Sequence, residues 1–206
     1  MIVTRFENRR SFSCNLYVVS IDKTNFIVDP GYFDEEIEKY ISSIGGISFV
    51  LITHGHFDHI GGIDLIKEKY PNVNFYAYEK EGKVIYSEKY NCSKDMHIPY
   101  IPSIYIDYFL EGINEIEGIK FEVISTPGHT IGSVIFYFEK EKVLFTGDTI
   151  IGPSIGRTDL PTGKDVDLYN SLSKIKERKF DDKVMVYSGH DNSYNYGTLK
   201  RYNPYL

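Results

Sequence analysis

Apolar residues recur along this chain in short runs bounded by glycine, proline and polar turns, the pattern of half-buried or fully buried strands. Leu16–Val19, Phe26–Val28, Phe49–Thr53, Val73–Ala77, Phe121–Ile124, Val134–Phe138, Lys142–Thr146 and Val184–Ser188 are the predicted strands. Elsewhere the period lengthens. Phe33–Ser43 sets Phe33, Ile37, Tyr40 and Ile41 on one helical stripe, and Ile60–Tyr70 and Val166–Lys179 repeat that spacing, with Pro71 closing the former. Glu79–Lys89 carries a fainter helical pattern. Val134–Phe138 and Lys142–Thr146 follow one another with no helix between, whereas other strands are separated by helices. The mixture predicts mixed sheets with helices outside them, not a uniform doubly wound sheet. Residues 90–110, rich in Tyr, Ile and Pro without a clear period, read as a packed connection, with a cover over a functional site as the other option. No repeat, low-complexity tract or linker interrupts the pattern, and one domain over residues 1–206 is expected.

Charge narrows the picture. A formal net charge of −6, with no basic stripe, argues against a partner held through a nucleic-acid backbone. Small anionic substrates stay open, because bound cations create local positive potential. No apolar run is long enough to span a bilayer, and Met1-Ile2-Val3-Thr4-Arg5-Phe6 does not open a signal peptide, so no membrane association and a cytoplasmic location are expected. Cys14 and Cys92 then read as two reduced thiols, not a disulfide. The chain has 18 tyrosines and no tryptophan, which supplies strand and core filler but no function.

Candidate chemistry concentrates in Thr53–Gly62, where His54, His56, Asp58 and His59 follow a buried-strand pattern. Imidazole nitrogens with a carboxylate suit zinc, iron or manganese, and the lack of clustered cysteine argues against an iron–sulfur or structural thiolate site. Four further turns after predicted strands carry ligand types beside glycine: Asp29-Pro30-Gly31, Pro127-Gly128-His129-Thr130, Gly147-Asp148-Thr149 and Gly189-His190-Asp191. Alone, His129 or His190 reads equally well as a structural histidine. Beside the first cluster, their shared strand-end context makes both candidate ligands. His97, in Asp95-Met96-His97-Ile98-Pro99, lacks that context and is expected to be structural or on the surface. Asp29 is expected to orient a ligand rather than bind metal.

With these pieces the chain resembles metallo-β-lactamase-fold hydrolases, and more narrowly the glyoxalase II (hydroxyacylglutathione hydrolase) branch. The matching residues run nearly end to end: Asp29-Pro30-Gly31, Thr53–Gly62, Thr126–Thr130, Gly147-Asp148, Gly156-Arg157-Thr158-Asp159-Leu160-Pro161, Gly189-His190 and Asn203-Pro204-Tyr205. The histidine motif is shared across the superfamily; the Gly156–Pro161 stretch is more restrictive, resembling compact bacterial glyoxalase II-like proteins and persulfide dioxygenases. The resemblance implies an αββα sandwich with the metals at one edge of two packed sheets. It implies His54, His56 and His129 on a first divalent ion, Asp58, His59 and His190 on a second, and Asp148 bridging them, with zinc first in line and iron or manganese as alternatives. Two such ions supply a bridging hydroxide at neutral pH for attack on a small acyl-thioester such as S-D-lactoylglutathione, with Asp58 orienting it or handling its proton.

The resemblance does not extend to the C-terminal helical extension of classical glyoxalase II, so glutathione contacts are not implied. Asp191 stands where relatives commonly have glycine, and is expected to face solvent in preference to supporting His190. Arg157 is the candidate substrate-binding residue, through a substrate carboxylate, with a salt bridge to Asp159 as the structural alternative. The second functional reading is a persulfide dioxygenase with one iron on His54, His129 and Asp148, a 2-His-1-carboxylate set. A phosphodiesterase or nuclease of the same superfamily is third. A non-catalytic metal scaffold and a β-lactamase rank below these.

Overall fold

Alternation along the strands sorts the apolar side chains into three separate cores, and these cores define the layers. The computed structural model describes residues 1–7 and 14–206. Its first sheet orders β1 (Ile2–Glu7), β2 (Asn15–Ile21), β3 (Thr24–Val28), β4 (Phe49–Ile52), β5 (Asn74–Tyr78) and β6 (Asp107–Phe109) side by side. The second orders β7 (Gly112–Ile116), β8 (Ile119–Ser125), β9 (Val134–Phe138), β10 (Val143–Gly147), β11 (Met185–Ser188) and β12 (Tyr194–Asn195). Between the sheets lie Phe26, Phe49, Phe121, Phe136, Phe138 and Phe145. On the outer face of the first sheet, Leu16, Val18, Ile27, Val50 and Ile52 meet Ile37 and Ile41 of α1 (Glu35–Ser43), Ile60 of α2 (Phe57–Ile60), and Ile63 and Ile66 of α3 (Ile63–Lys69). Beyond these come α4 (Gly82–Ile85), α5 (Asp165–Glu177) and α6 (Tyr196–Tyr202). Outside the second sheet, Ile135, Leu144 and Val186 meet Leu168, Leu172 and Ile175 of α5 and Leu199 of α6. This is the αββα sandwich that the resemblance implied. Strands covered on both faces are apolar throughout, which is why Phe49-Val50-Leu51-Ile52 shows no alternation.

Strand direction positions the site. β3, β4, β5 and β6 pair in parallel, so β3 and β4 end at the same side of the first sheet. In the second sheet β10 and β11 are parallel, and β8 runs with β10 because both are antiparallel to β9. The C-terminal ends of β8, β10 and β11 therefore share one side too. Buried hydrogen bonds join the two sheets there: Tyr17 OH donates to Ser188 O (2.6 Å), Asn15 Nδ2 to the same carbonyl (3.0 Å), and Asn15 N to Gly189 O (2.6 Å).

Most predicted elements stand within one or two residues of their expected bounds, with three differences. The helix expected over Ile60–Tyr70 is two: the chain leaves α2 at Gly61-Gly62, where Gly62 N–H donates to Pro30 O (2.7 Å), before α3 begins. Glu79–Lys89 forms only the 3-10 turn Glu79–Glu81 and the short α4 before breaking into turns. The strands β1, β6, β7 and β12, all at sheet edges, and the helix α6 were not predicted. β1 and β7 are edge strands with mostly exposed or half-exposed residues, so they lack the apolar runs of the interior strands. α6 is set by its cap, Asn195, whose side chain accepts from Thr198 N (2.8 Å). Cys14 and Cys92 are free thiols. Among the described residues no helix is long and apolar enough to cross a membrane.

Phe136 is fully buried at the centre of the inter-sheet core, edge-on to Phe109 (5.4 Å) and Phe121 (5.8 Å). Phe136→Ala removes a whole ring from this layer and is expected to cost about 3–5 kcal/mol of unfolding free energy, read from the shift in urea midpoint. A loss below about 1 kcal/mol would mean that the sheets close over the gap.

Candidate metal centre

Every predicted metal-ligating side chain arrives at the joined sheet edge. His54 follows β4, His56 caps α2, and Asp58 and His59 lie within it. His129 follows β8, Asp148 follows β10 and His190 follows β11. Their donor atoms fall into three overlapping groups, each with its atoms within 4.8 Å of one another: His54, His56 and His129; His54, His59 and Asp148; and Asp58, His59 and His190. Asp148 reaches across them. Its Oδ1 is 3.4 Å from His59 Nε2, and its Oδ2 is 3.5 Å from His129 Nε2 and 3.3 Å from His190 Nε2. His190 Nε2 also lies 3.2 Å from Asp58 Oδ2, and His56 Nδ1 lies 2.9 Å from His129 Nε2. His97 is exposed and belongs to none of the groups.

The partners behind the rings fix which nitrogens face inward. Thr53 Oγ1 gives its one proton to Asp29 Oδ2 (2.7 Å), so it accepts from His54 Nδ1 (3.2 Å) and leaves His54 Nε2 as a lone pair. His59 Nδ1 donates to Asp29 Oδ2 (2.9 Å), and His129 Nδ1 donates to the Arg157 carbonyl (2.7 Å). Asp29 is thus the orienting residue expected, its other oxygen accepting from Thr53 N (2.7 Å). Hydrogen-bonding the outer nitrogen in this way sets the tautomer that a metal ligand needs. On the inner side, His54 Nε2, His56 Nε2, His59 Nε2 and Asp148 Oδ1 are buried without a hydrogen bond. Each such atom costs about 1–3 kcal/mol if nothing compensates. Several in one place, all N or O donors of one cavity, fit a divalent metal site.

Electrostatics split the donors. Burial, with His59 and His129 nearby, holds His54 well below the usual imidazole range; burial first and His129 second bring His56 down to about 3; and burial lowers His129. These rings are neutral. Burial alone would lower His190 too, but its hydrogen bonds to Asp148 and Asp58 push it up to about 10. Burial likewise opposes the charge on Asp148, yet His59 and His190 hold it well below the usual carboxylate range. Without a cation, protons on the second group take the place of positive charge among its carboxylates.

A cavity of about 430 Å³ opens onto this centre, lined by Asp58, Asp148 and His190 and walled by Phe57, Cys92, Met96, Ile151 and Leu160. Asp58 and His190 face it, their side chains 26% and 27% exposed, whereas the His59 side chain is fully buried. Arg157 also reaches the cavity, but its guanidinium forms a two-pronged pair with Asp159 (Nε and Nη2 to Oδ1 and Oδ2, both 2.6 Å), the structural alternative to substrate binding. Asp191 is exposed as expected, and its φ of 75° explains why glycine suits that position.

A metallo-beta-lactamase superfamily profile matches residues 9–190. The chain belongs to that superfamily. Among superfamily relatives it is 30% identical to the hydroxyacylglutathione hydrolase GloC of Haemophilus influenzae, over 99% of this chain and 95% of that protein. Its fold superposes on the BLEG-1 B3 metallo-beta-lactamase with a TM-score of 0.91 at 31% identity, covering 100% of this chain and 99% of that one. It superposes on TTHA1623, solved in a di-iron-bound form, with a TM-score of 0.87 at 25% identity, covering 99% and 100%.

The metallo-beta-lactamase fold uses residues here that sequence reasoning passed over. The useful part of Arg157 is its carbonyl, brought to His129 because Gly156 has no side chain: a Cβ there would lie 2.2 Å from Asp148 O and 2.9 Å from His129 Nδ1. Asn91 is fully buried within 90–110, and its carbonyl accepts the Phe57 N–H (2.8 Å) at the first turn of α2, while its amide donates to Tyr100 O (2.7 Å). That segment is both a packed connection and one wall of the cavity. Its local sequence, Lys89-Tyr90-Asn91-Cys92-Ser93-Lys94, carries no signal of that burial.

Asp148→Ala removes the carboxylate that touches all three donor groups, and is expected to lower bound divalent metal by more than half relative to the parent, by elemental analysis of protein purified without chelator. His97→Ala is expected to retain the parent content. Equal loss in both variants would detach metal binding from this centre.

Proposed function

We propose that the chain is a binuclear metal-dependent hydrolase of small acyl-thioesters, with S-D-lactoylglutathione as the reference substrate. In this reading His54, His56 and His129 hold one divalent ion, Asp58, His59 and His190 the other, and Asp148 stands between them. The observation that carries it is the reach of Asp148, whose two oxygens lie 3.3–3.5 Å from His59, His129 and His190, ligands assigned to both ions. Support for the thioester comes from the end-to-end similarity to GloC of Haemophilus influenzae.

Bound at these residues, two divalent ions would supply Lewis acidity and a water acidic enough to ionise near neutral pH. The chain's own groups do the rest. Asp58 Oδ2, at the cavity side of the donor set, orients the attacking water and takes its proton. The water oxygen bonds to the acyl carbon, the C–S bond breaks, and the sulfur leaves as thiolate to be protonated, giving a carboxylic acid and a thiol. Phe57, Met96, Ile151 and Leu160 seat the organic part of the substrate and exclude bulk water from the reacting carbonyl. No protein nucleophile is required.

Asp58→Asn keeps the side chain's shape and removes the charge. Hydrolysis of S-D-lactoylglutathione is expected to fall by roughly 10²-fold or more, while metal at His54, His56 and His129 is retained. The same preparations are assayed for persulfide-dependent oxygen uptake and for opening of a chromogenic β-lactam. Parent protein that leaves the thioester intact but consumes oxygen with glutathione persulfide would overturn the reading in favour of a one-iron dioxygenase on His54, His129 and Asp148. One that opens only the β-lactam would replace it with the activity carried by BLEG-1's name.

A further inference from the structure

We propose that Glu81 is a positioning residue for the metal centre, clamping together the two loops that deliver His54, His56 and His129. It rests on the metal reading above, and not on the choice of substrate. Glu81 ends the 3-10 turn after β5 and is fully buried. Its Oε1 accepts a hydrogen bond from Gly55 N (2.8 Å), the peptide between His54 and His56. Its other oxygen, Oε2, is buried against Gly132, in the turn that follows His129, without completing a hydrogen bond. One side chain thus spans from the midpoint of the His54–His56 loop to the turn carrying His129, residues more than seventy positions apart in the chain.

Two further observations support a built contact. Gly132 approaches so closely that a Cβ there would lie 2.4 Å from Glu81 Oε2, 2.6 Å from Glu81 N and 2.8 Å from the Lys80 carbonyl carbon. Only glycine lets the turn seat against the carboxylate. The turn is itself braced, since Thr130 Oγ1 and Ser133 Oγ lie 2.6 Å apart and Thr130 N donates to Ser133 Oγ (3.1 Å). Second, a carboxyl buried among neutral donors is costly: burial lifts it to about 7, with the Gly55, Thr130 and Gly132 groups opposing. An apolar side chain would fill this space without that cost but could not accept the Gly55 N–H. The carboxylate's advantage is geometric. It fixes the peptide whose two neighbours are His54 and His56, and so fixes the angle between their rings. A ligand's orienting partners typically govern metal affinity by about 10–100-fold.

The test is cobalt(II) binding, measured by chelator competition and by the visible absorption of the loaded protein, on the parent, Glu81→Gln, Glu81→Ala and Phe136→Ala. Glu81→Gln retains one acceptor for Gly55 N–H but turns an amide NH₂ towards the backbone of the Gly132 turn. It is expected to weaken the tighter cobalt site about tenfold, and Glu81→Ala about a hundredfold, with an altered cobalt spectrum in both. Phe136→Ala, destabilised in a distant core, is expected to bind cobalt as the parent does when folded. If Glu81→Ala does not fold, Glu81→Gln alone decides. Parent affinity and spectrum in Glu81→Gln, or an equal loss in Phe136→Ala, would overturn the proposal and leave Glu81 a purely structural residue. No substrate enters the measurement, so failure of the thioester reading does not touch this result, whereas a parent that binds no cobalt would overturn the metal reading along with it.

Discussion

Buried lone pairs repel, and the sheet edge of this protein gathers more of them than neutral packing would tolerate. His54, His56, His59 and Asp148 bring inward-facing donor atoms into a space that water hardly enters, with His54 and His59 ring centroids only 4.0 Å apart. Such an arrangement is stable only if a cation shares it or the scaffold opposes the repulsion by force of packing. The scaffold here is built for the second task so that the first can follow. Thr53, Asp29 and the Arg157 carbonyl each take the outward N–H of a ring, which both satisfies that nitrogen and prevents the ring from turning away. The electrostatics respond to the same constraint: burial, first, and neighbouring rings hold His54, His56 and His129 low, whereas hydrogen bonds to Asp148 and Asp58 push His190 up against its burial.

The sandwich topology makes this convergence affordable in chain length. Parallel strand ends in each sheet point the same way, and two sheets packed face to face bring two such rows of ends together. The ligand loops can then be short, each starting from a strand locked in a double-sided core. The result is lopsided. Side chains on the His54–His56–His129 side are nearly sealed, whereas Asp58 and His190 keep about a quarter of their side-chain surface open to the cavity. In the proposed reading a substrate entering that cavity meets Asp58 and His190, and Asp58 is the more exposed of the two carboxylates among the ligand candidates.

The donor types were legible in the sequence because coordination chemistry admits few residues, and His54, His56, Asp58, His59, His129, Asp148 and His190 all sit in the same kind of context. Interior strands were legible because double-sided burial writes an uninterrupted apolar run, as at Phe49–Ile52. What escaped has a common physical character. β1 and β7 bury only part of one face, so their patterns are diluted. The break at Gly61-Gly62 comes from a tertiary hydrogen bond to Pro30, invisible to helical periodicity. Asn91 and Glu81 act through contacts with residues distant in the chain that leave no local pattern, and Arg157 contributes a backbone carbonyl, a group every residue possesses. The side chain drew attention to the right position for a different reason: the restrictive stretch around it is shaped by the close approach at Gly156.

Backbone strain lies beside the donor set. Asp29 and Asp191 adopt left-handed φ values of 55° and 75°, and both border the donor set. For a non-glycine residue that region costs on the order of 1 kcal/mol or more. Asp29 has a clear compensation, because only an aspartate in this conformation can accept from Thr53 N, Thr53 Oγ1 and His59 Nδ1 together. Asp191 is compensated through its backbone: its carbonyl accepts from Asn15 Nδ2 (2.8 Å) and Arg5 Nη1 (2.9 Å), which ties the loop after His190 to the first sheet. Glycine there would relax the strain and keep both contacts, since they are made by the backbone carbonyl. Since His190 borders the open side of the centre, the strained aspartate and its two donors hold in place the ligand candidate that the cavity leaves least enclosed.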